Sequence, residues 1–186
     1  MTDVHLPLDS QRLLIEIARQ ALDHIVRGRP YQSAGTNDPY LEGAGYGAFV
    51  TLFNHDELRG CIGTCTPLDS LRATVVEMIE AAATRDRRMK PVNVDELEHI
   101  HIDISVLSRL ERTNNPLSLF VGKQGIYLAR KHKRAVFLPQ VATEQGWDIR
   151  TLLEQTCLKA DLPKGAWRWP GTTVSTFTAL TIAEGK

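Results

Sequence analysis

Six consecutive residues combine a nucleophile, a cation and two missing side chains: Leu58-Arg59-Gly60-Cys61-Ile62-Gly63. The thiolate is the nucleophilic form of cysteine, and a neighbouring guanidinium favours it. If the run is a strand, Arg59, Cys61 and Gly63 share one face while Leu58, Gly60 and Ile62 share the other. Glycines inside a strand weaken it, and they mark a bulge or the close approach of a ligand or another backbone. The candidate chemistry is therefore that of a thiol. Cys61 would be nucleophile or redox centre, and Arg59 would lower its pKa or hold an anionic group. Gly60 and Gly63 would admit a substrate to the backbone. The plainer reading is a small core cysteine beside a twisted strand edge. His55, His99 and His101 are the available bases, provided that folding brings one within ~3 Å of the sulfur, the reach of proton transfer.

Other constellations carry less. Cys61 and Cys65 form a C-x3-C pair, but a structural zinc site needs four ligands, commonly as two pairs. The third cysteine, Cys157, falls on an apolar helical face with Leu153 and Ala160. His99, His101 and Asp103 alternate along a strand-like run, yet ~3.3 Å per residue puts His99 and Asp103 about 13 Å apart, too far to share one ion easily. The solvent face of an antiparallel strand explains the three residues without a metal. No metal and no cofactor is expected. The basic run Arg130-Lys131-His132-Lys133-Arg134 reads as a solvated hairpin turn that also discourages edge pairing. Gly43-Ala44-Gly45-Tyr46-Gly47 resembles a phosphate loop only superficially, because a strand rather than a helix follows it.

The elements that must position these groups alternate in type. An amphipathic helix is expected over residues 10–27, capped by Asp9 or Ser10 and ended by Gly28. Strands at 48–53 and 58–64 are joined through Asn54-His55-Asp56-Glu57 as a hairpin. Thr66, Pro67 and Asp69 have the spacing of a helix start, with Leu68, Leu71, Val75, Met78, Ile79 and Ala82 inward, and Pro91 closes a charged exit over residues 85–90. Asn93 with Glu96 caps a short turn. Strict alternation over 99–107 turns Ile100, Ile102, Ile104 and Val106 to one side. Strands are expected at 117–121, 125–130 and 135–138. A helix capped by Asp148 and ended by Pro163 follows, and then a β-rich segment over 172–182. Strands in succession with helices grouped between them give an α+β class: an antiparallel sheet flanked by helices. No linker divides residues 1–186, so a single domain is expected.

Composition narrows the function classes. The chain of 186 residues is 42% hydrophobic and 24% charged, ordinary values for a folded protein. Lys plus Arg and Asp plus Glu number 22 each, and this balance disfavours a general nucleic-acid binder, which carries a basic excess. No stretch approaches the ~20 apolar residues of a membrane-spanning helix, and no signal-peptide pattern opens the chain. Three cysteines cannot make a disulfide framework, so a cytoplasmic, reducing compartment is expected.

The hexapeptide LRGCIG at 58–63 also resembles the signature of the AMMECR1 family. The resemblance extends through Phe49-Val50-Thr51-Leu52, Thr64, Ile104-Ser105-Val106-Leu107-Ser108, Gly122-Lys123-Gln124-Gly125-Ile126, Phe137-Leu138-Pro139-Gln140-Val141, Gln145-Gly146-Trp147-Asp148 and Cys157-Leu158-Lys159-Ala160. It implies an α+β fold in two unequal lobes with the hexapeptide in a cleft between them. It implies no activity. It brings as partners a Memo-like protein and a radical-SAM protein, with which prokaryotic members are associated. On this reading Leu58, Gly60, Ile62, Gly63, Asp86 and Arg88 would contact a substrate or partner. Two departures stand out. Asp86-Arg87-Arg88-Met89 replaces an Asp-Pro-Arg-Phe-like stretch, and Asp161 replaces the glycine usual after the Lys-Ala pair. Two functions follow: a thiol-centred enzyme or accessory catalytic subunit, or a non-catalytic module that receives a partner segment. Nucleic-acid binding through the basic runs is a third and weaker reading.

Overall fold

The computed structural model describes residues 3–43 and 45–185. It is an α+β protein with two four-stranded antiparallel sheets, where the sequence led us to expect one. The chain divides into two compact units, each interrupted in sequence. The first holds residues 5–107 and the described residues from 180 onward. The second holds Ser108–Ala179 with the described residues before His5.

In the first unit, α1 (Leu8–Val26) and α3 (Leu71–Thr84) pack on each other and on a sheet of order β2-β1-β3-β8. Its strands are β1 (Gly47–Asn54), β2 (Glu57–Thr64), β3 (Ile100–Leu107) and β8 (Ala179–Ala183). One face of β1, formed by Ala48, Val50 and Leu52, is fully buried, as are Ile102 and Ile104 of β3. The stripe Leu14, Ile17, Ala18, Ala21 and Leu22 of α1 is buried as its spacing requires. Both helix starts differ from expectation. α1 begins at Leu8, and neither Asp9 nor Ser10 caps it; Pro7 precedes the helix and Ser10 is buried within it. α3 is capped by Ser70, whose hydroxyl accepts from the Ala73 amide at 3.1 Å. Thr66 lies upstream in a local turn, where its N–H bonds the Thr64 hydroxyl at 3.1 Å. Leu68 is consequently exposed. A short α2 (Pro39–Glu42), capped by Asp38, interrupts the long loop after α1.

The second unit has a sheet of order β4-β7-β5-β6, built from β4 (Glu111–Arg112), β5 (Gly125–Arg130), β6 (Lys133–Phe137) and β7 (Thr173–Phe177). The helices α4 (Pro139–Glu144) and α5 (Ile149–Lys159) belong to this unit. Its core gathers Ile126, Leu128, Leu152, Leu153, Cys157, Trp167 and Val174. The strand expected at 117–121 does not form: Pro116–Ser118 is a 3-10 turn, and Phe120 is exposed. The basic run is the β5–β6 hairpin, and β6 is an edge strand. Asp161 adopts a left-handed backbone, φ 55°, at the end of α5. That conformation favours glycine, and Asp161 adopts it as a non-glycine residue. Among the described residues no helix is long and apolar enough to cross a membrane.

Candidate functional site

The hexapeptide lies on β2, an edge strand, and a bulge changes which side chains share a face. Leu52 of β1 pairs with Gly60, but Phe53 pairs with Leu58, so β2 has one extra residue at Arg59. Cys61 and Gly63 pair with Thr51 and Phe49. Leu58 therefore joins the face of Cys61 and Gly63, where strict alternation placed it on the other. Arg59 leaves the ladder.

Its guanidinium closes on a different group from the one expected. Arg59 Nε and Nη2 donate to the two Glu96 oxygens at 2.5 and 2.9 Å, and Nη1 and Nη2 donate to the carbonyls of Lys90 and Pro91 at 2.7 and 2.9 Å. Glu96 also accepts from the Asn93 amide and from Asn54 Nδ2. The Arg59 side chain, followed by the Asn93 amide and Asn54, holds the Glu96 carboxyl down at about 2 against the opposing effect of burial. Arg59 thus fastens the β1–β2 hairpin to the segment after α3.

The two glycines mark close approaches, and the neighbours are the protein's own. A Cβ at Gly60 would overlap the backbone carbonyl of Ala82 in α3, and a Cβ at Gly63 would overlap the Phe49 ring. A larger residue at 60 thus strikes the helix itself.

Cys61 is where the edge of the sheet is sealed. Its N–H donates to Asp86 Oδ2 at 2.9 Å, and its carbonyl accepts from Arg88 Nη2 at 3.0 Å. Asp86 is buried and takes three further bonds from Arg88, through the amide, Nε and Nη2 at 3.1, 3.0 and 2.7 Å. The Arg88 guanidinium holds the Asp86 carboxyl well below the usual carboxylate range, opposed by burial and helped by the Cys61 and Arg88 amides. Arg88 is shifted up, first by Asp86 and also by Cys61. The carboxylate–guanidinium pair does for one rung what another strand would do. It depends on Asp86 and Arg88.

The Cys61 side chain is half-buried and accepts a hydrogen bond from the Thr51 hydroxyl, Oγ1 to Sγ 3.3 Å. Thr51 also pairs with Asp103 of β3, giving a lateral row Cys61–Thr51–Asp103. β2 and β3 are two strand spacings apart, ~10 Å, and His101 pairs two rungs further along, with Phe53. The three histidines gather at the turn end of the hairpin instead. The rings of His55 and His99 stack at 4.8 Å between centroids, and His55 Nδ1 meets Asn54 Oδ1 at 2.9 Å. With Phe53, His101 and Asp103 they line a cavity of ≈ 410 Å³. His101 Nε2 and Asp103 Oδ1 lie 3.1 Å apart but misaligned, so neither buried atom has a hydrogen-bond partner. Among the described residues no group of three His, Cys, Asp or Glu has the geometry to hold a metal.

The other cysteines are muted by burial, which pushes the Cys65 thiol up to about 11 and raises that of Cys157, a core residue. Thr51, Phe49 and the pairing role of Glu96 were missed in the sequence. Each acts across strands or over dozens of residues, and no local spacing announces it.

Comparison with known proteins agrees with the fold. The AMMECR1 family model matches residues 15–182. A protein of Methanothermobacter thermautotrophicus is 37% identical, covering 95% of each chain. Protein TK0174 of Thermococcus kodakarensis is 34% identical over 92% of this chain and 88% of its own. The crystal structure of protein PH0010 from Pyrococcus horikoshii matches with a TM-score of 0.82 at 31% identity, covering 91% of this chain and 88% of that one. With nearly its whole length matched in sequence and in fold, the chain belongs to the AMMECR1 family.

Proposed function

We propose that this chain is a binding subunit whose Cys61-bearing sheet face receives a segment of a partner protein, with the thiol at the centre of the contact. One observation carries the reading. The main chain at Cys61 is clamped by Asp86 and Arg88, while its half-buried sulfur has a hydroxyl, Thr51, as hydrogen-bond neighbour rather than a base. A fixed backbone with an accessible side chain suits recognition, because little is left to order on binding. Leu58, exposed on the same face, supplies apolar area beside the thiol. Gly60, Gly63 and Arg59 shape this surface from within. Ile62 lies on the opposite face and would support it in the same way.

An accessory catalytic role for Cys61 is the second reading, favoured by the Arg88 guanidinium beside it. The base would then come from the partner. The family resemblance names the partners to try, a Memo-like protein and a radical-SAM protein of the same cytoplasm, each purified and titrated with this chain. Cys61→Ser should keep the complex, and Cys61→Trp should weaken it at least 10-fold by filling the face. Loss of turnover in a Cys61→Ser complex that still forms supports the catalytic variant. If the Trp substitution binds as tightly as the parent chain, the face is not the contact and the proposal is wrong.

A further inference from the structure

The second unit contains a cavity of ≈ 330 Å³ whose walls include Arg112, Asn114, Trp167, Arg168, Trp169 and Thr172. Its volume lies near the lower end of small-molecule sites, roughly 300–1,000 Å³. Three features bear on what it would hold.

The first is charge. Arg112 and Arg168 form no ion pair among the described residues, and no carboxylate lines the cavity. Two guanidiniums without counter-ions favour an anion, and the planar fork of arginine suits the oxygens of a phosphate.

The second is an orphaned donor. Trp167 Nε1 is buried and has no acceptor. A buried N–H is almost always paired, and the exceptions call for an explanation. The Arg168 guanidinium lies over the Trp167 ring, 4.7 Å from its centre. An anion drawn to Arg168 would sit next to the Trp167 ring and so change the surroundings of its indole N–H.

The third is a flat apolar wall. Trp169 is 42% exposed. Arg130 lies over it at 5.3 Å and also donates to the Pro170 carbonyl at 2.5 Å and the Thr172 hydroxyl at 3.2 Å, so the loop carrying Trp169 is pinned. Gly165, φ +84°, starts the 3-10 turn Ala166–Arg168, and a Cβ there would press on the Arg168 guanidinium. An exposed, fixed indole is a platform for a planar ring, since base–aromatic stacking tolerates any base.

Together these features assign the cavity a ligand class: we propose that it binds a mononucleotide, with the phosphate on Arg168 and Arg112 and the base on Trp169. The proposal is independent of the Cys61 face.

The test titrates the intact chain with AMP, adenosine and ribose 5-phosphate while following the three indole N–H resonances by 1H–15N NMR. Trp147→Phe and Trp169→Phe assign the Trp167 signal by elimination. AMP is expected to shift the Trp167 indole proton and to bind at least 10-fold tighter than either fragment. Arg168→Gln and Trp169→Ala, both at exposed positions, should each weaken AMP at least 10-fold, and Arg112→Gln should do the same. Equal affinity for adenosine and AMP overturns the phosphate assignment. Equal affinity for ribose 5-phosphate and AMP overturns the stacking. An unmoved Trp167 signal, or an Arg168→Gln chain that binds AMP like the parent, overturns the proposal as a whole.

Discussion

At the scale of residues, the hexapeptide is explained largely by what it touches within its own unit. Gly63 lies under the Phe49 ring on the neighbouring strand, with no room for a Cβ. Gly63→Ala should therefore cost about 1–3 kcal/mol, the range of overpacking in a filled site. Shrinking the neighbour should relieve it: the loss in a Gly63→Ala, Phe49→Ala double variant should be smaller than the sum of the two single losses by about 1–2 kcal/mol. Urea unfolding of the four chains measures this, and strictly additive losses would show that the ring is not the obstacle. The sequence carried half of the inference. Two glycines in a strand announce that something comes close, but glycine has no chemistry to say what. The answers here are the Ala82 carbonyl and an aromatic ring, and both depend on pairings that the linear order does not contain. Arg59 shows the same limit: its type and position were legible, while a one-residue bulge sent it away from Cys61 to Glu96.

At the scale of elements, the Arg59–Glu96 clamp joins a hairpin to a 3-10 turn, 37 residues on from Arg59 to Glu96, and makes their union sensitive to acid. The Glu96 carboxyl is held at about 2, below its ordinary ~4.3. A depressed acid stabilises the fold fully above its unfolded pKa and loses that contribution as pH falls toward the folded value. The window is thus pH 4.5 down to 2. The side chains of Arg59 and Glu96 are 16% and 21% exposed, so the contribution is on the order of 2 kcal/mol after partial screening. Glu96→Gln should be less stable than the parent chain at pH 7 by that amount, and the gap should close between pH 4.5 and 2. Denaturant midpoints for both chains across that range check it. A gap that stays constant would mean that the carboxylate is not ionised against Arg59. The elements themselves were largely readable, because burial imposes its period: α1, the hairpin, β3 and α5 lie where spacing put them. Helix starts were harder. Thr66, Pro67 and Asp69 imitate a cap, but Ser70 begins α3 one turn later, because Thr64 and Thr66 bond each other in a local turn.

At the scale of the whole chain, one sheet was expected and two formed, because sequence shows strands but not their partners. The β-rich segment 172–182 splits at Thr178, giving β7 to one sheet and β8 to the other. No linker marks the units because the second is inserted between β3 and β8 of the first, and its ends are tied by Ser108 and Thr178, whose backbones and the Ser108 hydroxyl bond at 3.0 Å. Such an insertion should be removable. The Glu184 amide bonds the Ile102 carbonyl at 2.9 Å, and Ser105 Oγ faces Thr181 Oγ1 at 3.3 Å, an antiparallel register that brings Leu107 opposite Ala179. Replacing residues 108–178 by Asn-Gly closes that pair with a two-residue turn suited to a hairpin. The shortened chain should unfold cooperatively by circular dichroism, since it keeps α1, α3 and all four strands. The same chain stopped before Ala179 should not, because it loses buried Ile182 and the Glu184 carboxylate that pairs with Arg19, whose guanidinium also holds the Leu97 and Ile100 carbonyls. If neither chain shows a transition, the first unit cannot stand alone and the insertion is part of its folding core. If both do, β8 is dispensable to the sheet, and the return of the chain to its first unit contributes little to holding Cys61 in place.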